Sequence, residues 1–476
     1  MKAHSKLAST KIVCTLGPAT FTADAIRQLI LSGMDVARLN FSHGDHATHR
    51  RTLRIIRELS KELGKEVGVL QDLGGPKIRI GKLPVQERSL QPDDSIVLSA
   101  AATSDPSVIP VNYPYIVEDV EVGSRILLAD GMIELEVQGK EADRLLCRVV
   151  VGGVVQSHKG INLPSSILRV PAFTDKDRKD LAVGLEEQVD FVALSFVRHE
   201  QDLEPVRAML NQSPNPPLLI AKIEKAQAIQ RLEEILAMVD GVMVARGDLG
   251  VEMPLEDVPI IQKQIIRIAR QSGKPVITAT QMLRSMVSSP RPTRAEATDV
   301  ANAILDGTDA VMLSEETAMG AYPTEAVKIL DRIARATEPY LRERDFLNEP
   351  MPESLPMTAS SISRSACWMA GNLHAAGIVA GTSSGSTARL VARFRPSCPV
   401  VGLTPHLETQ RQLTLSWGVI PTLVTSFSDT EQMFDLARSW ALEHGLARQG
   451  DRLVVTAGVP VGTPGSTNLL KVIEIT

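Results

Sequence analysis

Short apolar runs rich in β-branched residues recur along the first two thirds of the chain, most of them entered through an Asp or a Gly. They begin near Lys11 (KIVCTLG), Asp35 (DVARLNFSH), Val67 (VGVLQDLG), Asp190 (DFVALSFV), Leu218 (LLIAKIE), Gly241 (GVMVARGD), Pro275 (PVITATQ) and Asp309 (DAVMLSEE). All but one of the gaps between them fit a βα unit of roughly 30 residues. The segments between them, such as Ala25 to Leu31 and Ile260 to Ala269, carry the apolar period of a helix. Near-continuous apolar strands alternating with helices predict a parallel sheet buried on both faces. Eight of them predict a closed (β/α)8 TIM barrel.

The exceptional gap, between Val67 and Asp190, leaves about 95 residues beyond the needs of one βα unit. Pro76 to Pro171 reads as strands in DSIVLSA, RILLADGMIELEV and DRLLCRVVVGGVV, and Asp130-Gly131 between two apolar runs is a hairpin signal. A small β domain is therefore expected at 76–171, inserted between barrel segments 1–75 and 172–345. Asn348-Glu349-Pro350-Met351-Pro352-Glu353 reads as a linker. The later runs GIVAGT, PVVGLT, VIPTLV, RLVVTAG and LLKVIEI predict a second α/β domain with an open sheet, over 346–476.

Composition narrows the function. The 476 residues suit about three domains of roughly 150 each. Lys plus Arg is 51 against 56 Asp plus Glu, a net charge of -5 with no basic tract, which argues against a nucleic-acid partner. Aromatics at 3% argue against recognition by base stacking. No apolar run approaches the roughly 18 residues of a membrane span, and the start, Met1 to Lys6, lacks the apolar stretch of a signal peptide. Cys14, Cys147, Cys367 and Cys398 are widely spaced without a CxxC pair, so a reduced, cytoplasmic chain is expected.

In a barrel the chemistry sits at the C-terminal ends of the strands. Those ends are polar here: Arg38, Asn40, Ser42 and His43 after the second run, Asp72 after the third, and Ser195 after the fourth. Lys222 and Glu224 follow in the fifth, Arg246 and Asp248 in the sixth, Thr280 and Gln281 in the seventh, and Ser314, Glu315 and Glu316 in the eighth. Strand ends reach water in any barrel, but a Lys and two carboxylates converging from neighbouring strands are not explained by that. Glu224 and Asp248 are hard oxygen ligands suited to Mg²⁺; from spacing alone they could equally form salt bridges to Lys222 or Arg246. Lys222 and Glu224 share one face of their strand, and an ammonium beside a metal is what a transferring phosphoryl group needs. Gly247 and Gly250 in Arg246-Gly247-Asp248-Leu249-Gly250 permit a turn whose N–H groups could hold a carboxylate or phosphate. In the last domain, Thr382-Ser383-Ser384-Gly385-Ser386-Thr387 precedes the helical pattern of Ala388 to Phe394, either a phosphate cradle or an ordinary N-cap loop. The late segment Gly458 to Asn468 could close over it or be a plain surface loop.

These residues resemble the pyruvate kinase family. KIVCTLGPAT, ARLNFSHG, KGINLP, AKIEKAQA, VARGDLGVE, ITATQMLRSM and PRPTRAEATDVANAILDGTDAVMLSEETAMGAYP occur in the family's order and span nearly the whole chain. The resemblance implies a TIM barrel, a small β-barrel lid domain inserted after the third strand and a C-terminal α/β regulatory domain. It implies phosphoryl transfer from phosphoenolpyruvate to ADP, giving pyruvate and ATP, in a homotetramer with no nucleic-acid or membrane partner. By motif, Glu224 and Asp248 match the ligands of Mg²⁺ or Mn²⁺. Lys222 matches the group that stabilises the transferring phosphoryl, and Arg38 the one that holds the substrate phosphate. Gly247, Asp248 and Thr280 match the carboxylate site, and Thr280 also the residue implicated in protonating the enolate. Asn40, His43, Arg79 and Lys159 match nucleotide contacts. The loop Thr382, Ser383, Ser384, Gly385, Ser386 and Thr387 matches the effector cradle, for a sugar phosphate or a nucleoside monophosphate.

One departure matters. Members that use potassium bind it through positions similar to Asn40, Ser42, Asp72 and Leu73, and carry Glu where this chain has Lys77 in Gly75-Pro76-Lys77. The Lys77 ammonium is expected to stand in for potassium, unless it simply faces solvent. Two other readings compete: a different Mg²⁺-dependent barrel enzyme acting on pyruvate enolates, and a non-enzymatic metabolite sensor. The first needs no ADP-gripping lid, and the second needs none of Arg38, Lys222, Glu224, Asp248 and Thr280.

Overall fold

The computed structural model describes residues 8–101, 105, 107–164, 166, 168–344, 346–351, 354–427, 429–460 and 466–476. Eight parallel strands close into a ring: Lys11–Leu16, Val36–Asn40, Gly68–Asp72, Phe191–Leu194, Leu218–Ile223, Gly241–Ala245, Val276–Ala279 and Ala310–Leu313. The first pairs with both the second and the eighth. They fall on the eight apolar runs. Alternation along each strand splits the apolar residues into two sets. One set, including Val13, Val36, Leu70, Phe191, Ile220, Met243, Ile277 and Ala310, draws at least one residue from every strand and forms the inner cluster. The other packs the strands on the surrounding helices.

The Asp that enters each even-numbered strand has a structural use. Asp35, Asp190, Asp240 and Asp309 each accept, through Oδ2, the backbone N–H of the preceding strand: Ile12 at 2.9 Å, Val69 at 2.7 Å, Leu219 at 2.9 Å and Val276 at 3.1 Å. The repeat stitches the strands in pairs at their N-terminal ends, away from the polar ends where chemistry is expected.

The inserted domain has its own apolar core. A six-stranded sheet runs in the order Ile161–Asn162, Arg125–Leu128, Ile133–Glu141, Arg144–Val151, Ser95–Ser99, Val108–Pro110. Beside it lies a ribbon of Glu87–Leu90 and Gly153–Gln156. Asp130-Gly131 does turn a hairpin, with φ of 57° and 83° at the two residues.

The C-terminal sheet is open, in the order Val419–Leu423, Val400–Thr404, Gly377–Gly381, Arg452–Gly458, Thr467–Glu474, its last strand antiparallel. It docks on the N-terminal end of the barrel. Leu415 joins the inner barrel cluster, Lys11 donates to the Val419 carbonyl at 2.9 Å, and the Trp417 N–H donates to Asp309 at 3.2 Å. Gly68 makes that approach feasible, since a Cβ there would lie 2.5 Å from Thr414 Oγ1 and 2.8 Å from the Phe191 ring. The linker is pinned rather than free: Glu349 accepts from Arg270 at 2.5 Å and from Gln271 at 3.1 Å. Pro352 and Glu353 of that stretch lie outside the described residues.

The stitching makes a graded prediction. The Asp190 side chain is 4% exposed and also pairs with Arg57 at 2.9 Å, whereas Asp240 is 34% exposed. Asp190→Ala should lower the free energy of unfolding by about 3–5 kcal/mol, as for a broken buried pair. Asp240→Ala should cost about 1 kcal/mol or less. Denaturant titration of both variants checks this; equal and small losses would contradict it.

Candidate active site

The polar strand ends converge around one buried carboxylate. Asp72 closes the third strand and is 1% exposed. Arg38, from the neighbouring second strand, donates Nε–H to Asp72 Oδ2 at 2.7 Å and Nη1–H to Thr15 Oγ1 at 2.8 Å. Lys222, from the fifth strand, places Nζ 3.4 Å from Asp72 Oδ1 and 2.7 Å from Glu224 Oε1, and donates to Ser195 Oγ at 2.7 Å. Ser195 in turn donates to the Leu73 carbonyl at 2.8 Å. A buried ammonium would normally lose its proton. Burial does oppose its charge, but Asp72 and Glu224 outweigh burial and hold Lys222 well above its ordinary range. Asp72 feels the reciprocal field: burial opposes its ionisation, and Lys222 and Arg38 hold it below the usual carboxylate range.

Glu224 is 1% exposed, and its second oxygen accepts the Phe196 N–H at 2.9 Å. Phe196 reaches that position with φ of 59°, in the left-handed region that a bulky residue avoids. Asp248 opens the short helix Arg246–Glu252 after the sixth strand. Burial, with the like charge of Glu224 next, pushes Asp248 up to about 6. Asp248 thus feels Glu224 as a like charge, which a shared cation would offset. Among the described residues no group of three or more His, Cys, Asp and Glu forms a metal cluster. Two carboxylates are the kind of donor set that Mg²⁺ takes, with water and substrate oxygens filling its shell.

Thr280 follows the seventh strand with φ of 68°, and Gln281 follows it with 55°. Arg246 holds this strained turn, donating to the carbonyls of Ala279 at 3.2 Å and Thr280 at 2.7 Å and pairing with Asp299 at 2.6 Å. Its guanidinium is thereby committed to structure. Thr280 Oγ1 accepts the Gly247 N–H at 2.7 Å, which brings together the two halves of the expected carboxylate site.

The remaining expected residues lie around this centre. Asn40 Oδ1 accepts the Ser42 N–H at 3.1 Å. His43 is pushed below its ordinary range by burial and then by Lys77, Arg79 and Arg38, which places it in the same field. Arg79 donates to the His158 carbonyl at 2.8 Å, on the lid. Lys159 is exposed on that same lid segment. Lys77 is exposed overall; loss of water around its ammonium, then Lys222 and Arg79, hold it below its ordinary range against the opposing pull of Asp248 and Asp72. Far away, in the C-terminal domain, Gly385 (φ 80°) opens the helix Ser386–Ala392, Thr409 donates to the Ser383 carbonyl at 2.7 Å, and Thr387 and Thr467 hydroxyls bond at 2.8 Å. Residues 461–465 of the late loop lie outside the described residues. Sequence reasoning missed Thr15 and the Phe196 N–H, because neither residue type signals chemistry by itself.

Residues 7–327 match the family described as "Pyruvate kinase, barrel domain", and residues 360–473 match "Pyruvate kinase, alpha/beta domain". The chain is 49% identical to pyruvate kinase 2 of a Synechocystis strain, over 97% of this chain and 78% of that one. It is 42% identical to a pyruvate kinase of Clostridium perfringens, over 98% of this chain and 99% of that one. A solved pyruvate kinase structure from Cryptosporidium parvum superposes with a TM-score of 0.92 at 36% identity, covering 99% of this chain and 97% of that one. The fold, the converging strand ends and these likenesses agree: the chain belongs to the pyruvate kinase family, enzymes that make pyruvate and ATP from phosphoenolpyruvate and ADP.

Proposed function

We propose that the cluster around Asp72 is the phosphoryl-transfer centre, with Lys222 as the cation that meets the phosphoryl group in flight. The observation that carries this is the Lys222 ammonium, kept charged and fixed by Asp72, Glu224 and Ser195. Arg38 holds the phosphate of phosphoenolpyruvate, its guanidinium already oriented by Asp72 and Thr15. The N–H groups at Gly247 and Asp248, with Thr280, hold the carboxylate. As the P–O bond breaks, the phosphoryl passes to a terminal oxygen of ADP and the electron pair stays on the enolate. The enolate then takes a proton at carbon, on the Thr280 side. Asn40, His43, Arg79 and Lys159 contact the nucleotide, the last two brought in by the lid. A Mg²⁺ or Mn²⁺ held by Glu224 and Asp248 supplies charge neutralisation for phosphate and enolate oxygens when bound.

Lys77 supports a second element of the proposal. Potassium-type ligands are present in Asn40, Ser42, Asp72 and the Leu73 carbonyl, but the last two already serve Arg38, Lys222 and Ser195. Lys77 adds a positive charge, exposed but within the field of Asp248 and Asp72. That charge replaces a monovalent cation. A phosphorylated effector, a sugar phosphate or nucleoside monophosphate, is proposed for Thr382–Thr387, and a homotetramer in the cytoplasm is proposed as the working form.

Lys222→Met should lower kcat for pyruvate formation by on the order of 10²–10³-fold, the usual loss for a charge-stabilising group. Near-normal turnover in a folded variant would remove Lys222 from the mechanism. Wild-type turnover should be nearly equal in potassium and in tetramethylammonium buffers, and Lys77→Glu should make it potassium-dependent. Strong potassium activation of the wild type would overturn the role of Lys77.

A further inference from the structure

The inserted lid is joined to the barrel by two crossings of the chain, outgoing at Gly74-Gly75-Pro76 and returning at Pro171-Ala172-Phe173-Thr174. Both meet at one carboxylate of the barrel, Asp177, in the first turn of the helix Asp175–Glu186. We propose that Asp177 is a positioning residue for the reaction. It latches the two crossings together and so sets where the lid's nucleotide contacts stand, on the reading that Arg79 and Lys159 are those contacts.

The two oxygens divide the work. Asp177 Oδ1 accepts the Gly75 N–H at 3.1 Å. Oδ2 accepts the Thr174 N–H at 2.9 Å and the Thr174 hydroxyl at 2.5 Å. The Thr174 half is a capping box, completed by the Asp177 N–H donating to Thr174 Oγ1 at 3.1 Å. A capping box has no need of the Gly75 bond, which spans 102 residues and ties the outgoing crossing to the helix. Asp177 is 1% exposed, and hydrogen bonds to a charged acceptor are among the stronger ones. The helix is itself anchored in the barrel: Lys176 donates to the Phe41 carbonyl at 2.7 Å, and Gln71 donates to the Asp180 carbonyl at 2.6 Å.

Gly75 is held from the other side as well. Its φ is 62°, and a Cβ there would lie 2.7 Å from the Phe196 ring and 3.2 Å from Ser195 Cβ. Phe196 and Ser195 are the residues whose N–H and hydroxyl hold Glu224 and Lys222. The outgoing crossing is therefore seated between Asp177 and the loop that fixes the centre. From the same loop Arg198 reaches the returning side, donating to the Leu168 carbonyl at 2.5 Å, with its guanidinium held by Asp202 at 2.7 Å.

Little slack separates the latch from the nucleotide contacts. Gly75-Pro76-Lys77-Ile78-Arg79 is a short run, and the Lys77 N–H donates back to the Gly75 carbonyl at 3.0 Å. The Ile80 N–H donates to the Lys159 carbonyl at 2.9 Å, and the His158 N–H to the Ile80 carbonyl at 3.0 Å, so the segment of Arg79 carries Lys159 with it. A shift at Gly75 is passed to both cations. Arg38, Lys222 and Glu224 stand on the barrel and are held by bonds that do not involve Asp177.

Steady-state kinetics of pyruvate formation by the full chain separates a latch from a helix cap. Asp177→Ala should raise the KM for ADP by about tenfold, the worth of one charge-assisted hydrogen bond, with kcat and the KM for phosphoenolpyruvate within about twofold. Thr174→Ala, which breaks the cap and spares the Gly75 bond, should lower the denaturant midpoint and leave the KM for ADP unchanged. Asp177→Asn keeps one acceptor and should raise the KM for ADP by about threefold; it serves alone where Asp177→Ala does not fold. Lys159→Ala, measured beside them, should raise the KM for ADP. A folded Asp177 variant with a wild-type KM for ADP, beside a raised value in Lys159→Ala, would overturn the latch and leave the nucleotide site in place. Wild-type values in both would overturn the nucleotide reading and the latch with it. An equal rise in Thr174→Ala would overturn the latch, leaving Asp177 a helix cap.

Discussion

The site depends on one buried carboxylate. Asp72 has Arg38 on one oxygen and Lys222 near the other, and without it those cations would face each other across a closed barrel. The surrounding charge then becomes intelligible. Three carboxylates, Asp72, Glu224 and Asp248, share the centre with Arg38 and Lys222, and Lys77 and Arg79 lie in the same field. On the proposed reading a divalent cation at Glu224 and Asp248 would offset the like charge between those two carboxylates.

The barrel divides its labour between its ends. The N-terminal rim spends its acidic residues on backbone N–H groups, at Asp35, Asp190, Asp240 and Asp309, and receives the C-terminal domain. The C-terminal rim concentrates positive φ and charge, at Phe196, Thr280 and the Asp72 cluster. Asp309 belongs to the first group and yet also meets Trp417 and Arg395 of the other domain. The foot of the eighth strand is therefore part of the contact between the two domains.

Much of this was legible in the chain. The eight barrel strands are near-continuous apolar runs because both faces of each are covered, whereas a strand covered on one face alternates apolar with polar. Glu87–Leu90, Val108–Pro110 and Ile161–Asn162 of the lid were not legible, since they are short and Glu87–Leu90 is mostly polar. The helix expected at Ala388–Phe394 begins earlier, at Ser386, because Gly385 turns the chain with positive φ, and it ends at Ala392, before Arg395 (φ 49°) and Pro396. The polar strand ends were visible as residue types, but their pairings were not. Arg38 and Asp72 are 34 residues apart, and Arg270 and Arg393 are 123 apart. Only closure of the barrel and docking of the last domain bring such pairs together.

The dependence on Asp72 is tested most directly by Asp72→Asn, which keeps shape and hydrogen-bonding capacity and removes the charge. The account predicts a folded enzyme whose kcat falls by about 10²-fold, the scale of loss when reacting groups are misplaced by about 1 Å. A folded Asp72→Asn enzyme with wild-type kcat would contradict it.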